Sequence, residues 1–380
     1  MKILKDIRVV ELGTYITGPA AGMHLADLGA DVIKIERPGT GDPFRAFKGG
    51  LYSPHYQTYN RNKRSIAIDT KDPEDLQVLY DLVATADVFI QNFRPGVAER
   101  LGVGEDDLRK VNPSIIYCAI SGFGQDGPSR DRPAYDTVAQ AASGFLRLVT
   151  PPTNPRVIGP AIADAMTGQY AAMGIMAALL ERSKTGKGRR LDISMLEAMC
   201  HFNLDSFTHY YSVDEIMGPL SRPTVSQSYT FECSDGKWVA IHMSSPPKFW
   251  QGLLEATGQQ HLATDPRFEE RLERIKHQDD LIEILTPIFR TRTRDDWCAA
   301  LLAAEVPHSP AYDSDEALED PQAQHLNIKV SAPSKVLGTF TTVRAPYSFD
   351  GEADLNVSAP PELDEHGQEL RAELRQRKAS

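Results

Sequence analysis

Residues 7–36 read Ile7-Arg8-Val9-Val10-Glu11-Leu12, Gly13-Thr14-Tyr15-Ile16-Thr17-Gly18, Pro19 with the run 20–28, Gly29, and Asp31-Val32-Ile33-Lys34-Ile35-Glu36. The first run is rich in β-formers and the glycine-bounded run is a turn. Pro19 suits the first turn of a helix, Gly29 stops that helix, and the last run is a second strand. Strand, helix, strand in that order is a βαβ unit and implies a parallel sheet.

The same alternation continues outward. A strand is predicted over 65–69, an amphipathic helix over 73–84, a buried strand over 86–92, short helices over 97–101 and 105–111, and a strand over 114–120 that ends in Gly122-Phe123-Gly124. The repeated order argues for an α/β fold with an open, Rossmann-like sheet. A helix follows Asp164 to about 182. Thr185-Gly186-Lys187-Gly188 then turns into Arg189-Arg190-Leu191-Asp192-Ile193-Ser194, with a helix from Met195. The Pro-, Ser- and Gly-rich stretch 218–228 reads as a domain boundary. Beyond it, 229–243 reads as a hairpin turning at Ser234-Asp235-Gly236-Lys237, followed by helices over 248–257, 269–289 and 294–305. The expected organisation is a large domain over 1–217, a small α+β domain over 225–320, and a return of 330–380 to the large domain.

Bulk properties exclude several function classes. The 380 residues carry a net charge of −11, which argues against a nucleic-acid or anionic-membrane partner. No apolar run approaches the ~20 residues of a membrane span, and the chain opens directly into a strand with no signal-peptide core. Cys118, Cys200, Cys233 and Cys298 are scattered, and the ten histidines form no ligand cluster. No metal is expected, and a reducing cytoplasm is the default compartment.

Three groups of residues carry chemistry. The Gly13–Gly18 turn lacks the GxGxxG spacing of a nicotinamide or flavin site, although the helix it opens can receive a phosphate or a carbonyl oxygen. Arg37, Arg45, Arg61, Lys63, Arg64, Lys71, Arg94 and Arg100 cluster in the loops of the first domain. In an acidic chain this clustering points to a small polyanion. Asn92-Phe93-Arg94-Pro95-Gly96 leaves the end of a strand, where open α/β sheets bind ligands. Asp136 reads most simply as a helix N-cap.

The third group is Asp164, in Gly159-Pro160-Ala161-Ile162-Ala163-Asp164, ahead of a helix with no charged residue from 165 to 180. A carboxylate there caps the helix or attacks an activated acyl group. The helix dipole would keep it ionised. Local physics puts the cap first and allows both.

In order, Gly18-Pro19, the run 28–36, Gly41-Asp42, Asn62-Lys63-Arg64-Ser65, Asn92-Phe93-Arg94-Pro95-Gly96, Gly122-Phe123-Gly124, Tyr135-Asp136, Ala163-Asp164 and Thr185-Gly186-Lys187-Gly188 resemble the class III CoA-transferases, the formyl-CoA and carnitine CoA-transferase group. The resemblance spans essentially the whole chain. It implies a large Rossmann-like domain built from both chain ends, a small domain, and an obligate, interlocked homodimer. It further implies Asp164 as the nucleophile that moves CoA from an acyl-CoA thioester to a free carboxylic acid through an anhydride and an aspartyl-CoA thioester. No tightly bound cofactor is implied; the CoA thioester is the substrate.

By position, Arg37, Ile68 to Lys71, Asn92, Phe93, Arg94 and Arg100 match the family's CoA contacts, and Arg132 and Tyr135 match contacts near the thioester. Ile16 stands where the formyl-CoA enzyme has Gln. Between Pro223 and Gly236 the covering glycine-rich loop is replaced by Gln227-Ser228-Tyr229, which argues against oxalate as acceptor. The related α-methylacyl-CoA racemases need a His where Tyr135 stands, and a phenol of pKa ~10 replaces it poorly. An acyl-CoA-binding protein without turnover is the non-enzymatic alternative. Ile16, Met195, Met199 and His201 suggest a partly apolar acid, and dicarboxylates such as succinate stand equally open.

Overall fold

The computed structural model describes residues 2–379. The chain divides into two compact units. One holds the residues up to Leu146, Val157–Leu204 and the segment from His325 onward; the other holds Arg147–Arg156 and Asp205–Gln324. The helix Leu204–Val213, within the span read as the large domain, thus falls almost wholly in the second unit. None of its residues is buried, so nothing anchors it in the first core.

The first unit is built on six parallel strands, β1 (Arg8–Leu12), β2 (Asp31–Glu36), β3 (Lys63–Ala67), β4 (Val88–Gln91), β5 (Ile116–Ser121) and β6 (Arg190–Ser194), in the spatial order β3-β2-β1-β4-β5-β6. This is the doubly wound order, with its reversal between β1 and β4. Burial explains the sequences. Every residue of β4 and β5 is buried, and both are continuous apolar runs apart from Gln91 and Ser121, as strands covered on two faces require.

Helix α1 (Thr17–Asp27) and helix α2 (Ile162–Thr185) cover one face, packing Ala21, Leu25, Ala171 and Ile175 against Val9, Val88 and Ile116. Leu79, Leu82, Leu108 and Leu370 cover the other face with Val10, Ile33 and Phe89. Leu370 belongs to the C-terminal helix α3 (Gly367–Ala379). The Arg64 guanidinium on β3 holds Glu373 of that helix at 2.6 Å.

The second unit holds an antiparallel sheet of Ser228–Glu232, Trp238–His242 and His308–Ala311. Its core stacks Phe231 on Phe289, with the Trp297 ring tilted against Phe289. The helix read over 269–289 is two helices, Arg271–Lys276 and Gln278–Phe289, broken at His277.

Candidate active site

The reversal in strand order leaves a crevice at the C-terminal ends of β1 and β4. Two clefts open there. One, of about 300 Å³, is walled by Tyr15, Ile16 and Thr17 from the β1–α1 turn, Asn92, Phe93 and Arg94 after β4, Arg130, Arg132 and Tyr135 from the loop after β5, and Asp164 of α2. The other, of about 250 Å³, is walled by Arg37, Ile68, Lys71, Asp42 and Phe93. Each alone is small for a cofactor-sized ligand. They share Thr14 and Phe93, so they run together as one groove along the strand ends.

Helix packing brings Asp164 to this groove. A Cβ on Gly168 would lie 2.6 Å from Ala20 Cβ and 2.9 Å from Thr17 O, so only glycine lets α2 close onto α1 at that level. Asp164, one turn earlier on the same face, is thereby carried to the mouth of α1.

Asp164 is not the helix cap. The helix begins two residues before it, at Ile162, with Ala161 in the capping position and no side-chain cap of its own. The Asp136 carboxylate supplies the cap from another element: its Oδ1 accepts from Ala163 N–H at 2.8 Å and from Asp164 N–H at 3.3 Å, while its Oδ2 accepts from Gln140 Nε2 at 2.6 Å. Asp136 itself is the first residue of the helix Asp136–Ala142, behind Tyr135, so it does not cap the helix it begins. Among the described residues, nothing donates a hydrogen bond to the Asp164 carboxylate.

Two other influences oppose the helix dipole at Asp164. Burial, and the Asp136 charge next to it, push the Asp164 carboxyl up to about 7. Tyr59 senses the same pair: its phenol is pushed up by burial and then by the Asp164 and Asp136 charges.

The structure sorts the basic residues into two sets. Arg45 grips Glu36 at 2.7 Å, Arg61 grips Asp27 at 2.6 Å, Lys63 touches Glu11 at 2.7 Å, and Arg64 holds Asp31 at 2.7 Å. These four hold the fold together and are not ligand cations. Arg37, Lys71, Arg94, Arg100 and Arg132 are exposed, and among the described residues none of them has a carboxylate partner. Arg37 and Lys71 rim the smaller cleft, Arg94 and Arg132 the larger, and Arg100 lines neither.

Other candidates divide similarly. Asn92 spends its amide on the β1–α1 turn, accepting from Thr14 N–H at 2.9 Å and donating to Thr14 O and Thr17 Oγ1, so it shapes the groove without a free group to offer. Ile68 and Ile16 give aliphatic wall. Tyr135 is 63% exposed and meets the Tyr15 ring edge-on at 6.0 Å. Met195 lines the Asp164 cleft, whereas Met199 is buried in the core and His201 pairs with Tyr170 at 2.8 Å outside it. No histidine lines the cleft. Glu36, at the end of β2, is buried and held by Arg45. Among the described residues no group of His, Cys, Asp or Glu could hold a metal, and no helix is long and apolar enough to cross a membrane.

Sequence reading missed Tyr15, Tyr59, Arg130 and the trans-capping role of Asp136. Tyr15 takes a left-handed backbone, φ 61°, that nothing in its sequence marks. Asp136 lies 28 residues from the amide it caps, beyond any local pattern.

Known proteins resemble this chain in sequence and fold. The family model described as CoA-transferase family III matches residues 4–367. A succinyl-CoA–D-citramalate CoA-transferase of Chloroflexus aurantiacus is 35% identical, over 84% of this chain and 80% of its own. An acetyl-CoA:oxalate CoA-transferase of Acetobacter aceti is 33% identical, over 96% of this chain and 94% of its own. The crystal structure of a CaiB/BaiF family protein from Brucella suis superposes with a TM-score of 0.87 at 33% identity, covering 98% of this chain and 99% of that one. The chain belongs to CoA-transferase family III and is a CoA-transferase.

Proposed function

We propose that Asp164 is the acyl acceptor of a CoA exchange between two carboxylic acids. The observation that carries this is the cap made by Asp136, which leaves the Asp164 carboxylate unbonded at the wall of the groove. One Asp164 oxygen attacks the thioester carbonyl carbon; the C–S bond breaks, CoA leaves as thiolate, and a mixed anhydride remains. The thiolate attacks Asp164 Cγ, releasing the donor acid as carboxylate and leaving an aspartyl-CoA thioester. The acceptor carboxylate displaces the thiolate from Cγ, and the thiolate then attacks the acceptor carbonyl, which frees Asp164. Each step exchanges one anion for another, so no general acid is required. A carboxylate raised to about 7 by burial is a stronger nucleophile than an ordinary one and is still half ionised at neutral pH.

Arg37 and Lys71 rim the cleft that suits the CoA phosphates, which makes the first unit the CoA-binding domain. Arg94 and Arg132, which line the Asp164 cleft without a carboxylate partner, suit the second carboxylate of a dicarboxylic acid. The relatives named for citramalate and oxalate act on acids of that class. The missing glycine-rich loop favours four- and five-carbon acids over oxalate. The working form is a homodimer: Met173, Leu180, Phe202 and Leu204 expose apolar surface on the first unit that a second copy would cover. A single species of the one-chain mass in sedimentation would contradict it.

The racemase alternative lacks its histidine in the cleft. The deciding assay offers succinyl-CoA with a panel of C4–C5 diacids in deuterated water. CoA transfer without uptake of deuterium at the α-carbon is the predicted result; α-deuteration without transfer would favour the racemase.

A further inference from the structure

Beneath the β1–α1 turn lie six buried charges in balance: Glu11, Glu36 and Asp42 against Lys34, Arg45 and Lys63. Lys34 Nζ lies 3.0 Å from both Glu11 Oε1 and Asp42 Oδ2, and Lys63 Nζ lies 2.7 Å from Glu11 Oε2. Desolvating so many charges recovers little net stability, and an apolar core of equal volume commonly does as well. What the network does provide is a set of fixed ties to one stretch of backbone. Lys34 donates to Gly13 O at 2.9 Å, Lys63 donates to Pro19 O at 2.8 Å, and Asp42 Oδ1 accepts from Tyr15 N–H at 3.1 Å. Tyr15 sits between these ties in the left-handed region, which a non-glycine residue keeps only when its surroundings enforce it. Tyr15, Ile16 and Thr17 are the wall that shares the larger cleft with Asp164.

We propose that Asp42 and Lys34 are positioning residues for acyl transfer, holding the strained Tyr15–Thr17 wall in register with Asp164; this rests on Asp164 as the acyl acceptor. Neither touches the reacting atoms. They act through the backbone of residues 13–15, so their loss should lower turnover more than substrate binding.

The test uses charge-balanced pairs in the full-length enzyme, since a lone substitution would strand a buried charge. Lys34→Met/Asp42→Ala removes the ties to Gly13 O and Tyr15 N–H. Its kcat should fall about 100-fold with KM for the acyl-CoA donor within about threefold. Lys34→Met/Asp42→Asn restores an acceptor for Tyr15 N–H and should recover about tenfold of that loss. If the alanine pair does not fold, the asparagine pair decides alone, with kcat down about tenfold at unchanged KM. Equal kcat in the two pairs, wild-type kcat in the asparagine pair, or a loss of kcat matched by KM would overturn the positioning role. Mass spectrometry of the wild type on acyl-CoA separates the two levels. Transfer without an adduct on Asp164 overturns the underlying reading, whereas an adduct-forming wild type with unimpaired pairs overturns the positioning role alone.

Discussion

Asp136 caps the helix that carries Asp164, accepting from the Asp164 backbone N–H at 3.3 Å and from that of Ala163 at 2.8 Å. One carboxylate thus does the structural work at this helix start, and the other is left without a hydrogen-bond partner among the described residues. The arrangement also puts two carboxylates side by side, which makes it costly to ionise the second.

A pH dependence follows. Under the proposed mechanism the ionised form of Asp164 is the nucleophile, so kcat/KM for the donor should rise with pH through an acid limb at about 7, the value to which burial and then Asp136 raise Asp164. Asp136→Asn keeps an acceptor for the two amides and removes the charge. Gln140 Oε1 is buried without a partner and can turn to accept from the new amide. The limb should therefore move below 7 toward the usual carboxylate range. A limb unmoved in the variant would show that Asp136 does not set the nucleophile's ionisation.

Close packing of α1 on α2 gives a second prediction. Gly168→Ala places a methyl 2.6 Å from Ala20 Cβ and 2.9 Å from Thr17 O. The helices must part, at a cost of about 1–3 kcal/mol in thermal or urea unfolding. Asp164 should be displaced with them, so kcat should fall by about tenfold or more. Wild-type kcat in a destabilised variant would separate the packing from the placement of Asp164.

The sorting of cations into paired and free sets predicts opposite phenotypes. Arg37→Ala and Lys71→Ala should each raise the KM for the CoA donor by about tenfold, with kcat changed little and stability unchanged. Arg64→Ala breaks contacts to Asp31, Glu369 and Glu373. It should lower unfolding stability by about 1–2 kcal/mol and leave KM alone. Steady-state kinetics beside thermal melts on the same three variants distinguish the two sets.

The sheet was legible because β4 and β5 are apolar runs of strand length and β1 and β2 are rich in Val, Ile and Leu, set off by Gly29 and the loops after Gln91 and Ser121, and the helices between them carry one apolar face. The strand over 65–69 lies two residues earlier, at Lys63–Ala67, because Lys63 and Ser65 are buried polar residues whose partners, Glu11 and Glu36, come from elsewhere in the chain. Asp164 was legible as a candidate from its isolation on an uncharged helix. Its freedom from capping was not, since the cap comes from a residue on another helix. The eight cations read as loop residues looked alike in the sequence, although Lys63 and Arg64 lie on β3. Only the positions of Glu11, Asp27, Asp31 and Glu36 in three dimensions show which four are occupied. The left-handed Tyr15 was invisible for the same reason: the groups that enforce it, Lys34 and Asp42, lie within β2 and in the loop beyond it.

The most direct test of the central claim is to incubate the enzyme with acyl-CoA, without acceptor, and to map adducts by peptide mass spectrometry before and after hydroxylamine. The account predicts an aspartyl adduct on the peptide bearing Asp164, converted to the hydroxamate by hydroxylamine and absent from Asp164→Ala. That variant should still bind CoA within about threefold and lose CoA transfer by on the order of 10³-fold or more. Transfer activity retained in Asp164→Ala, or an adduct that maps to a different residue, would contradict it.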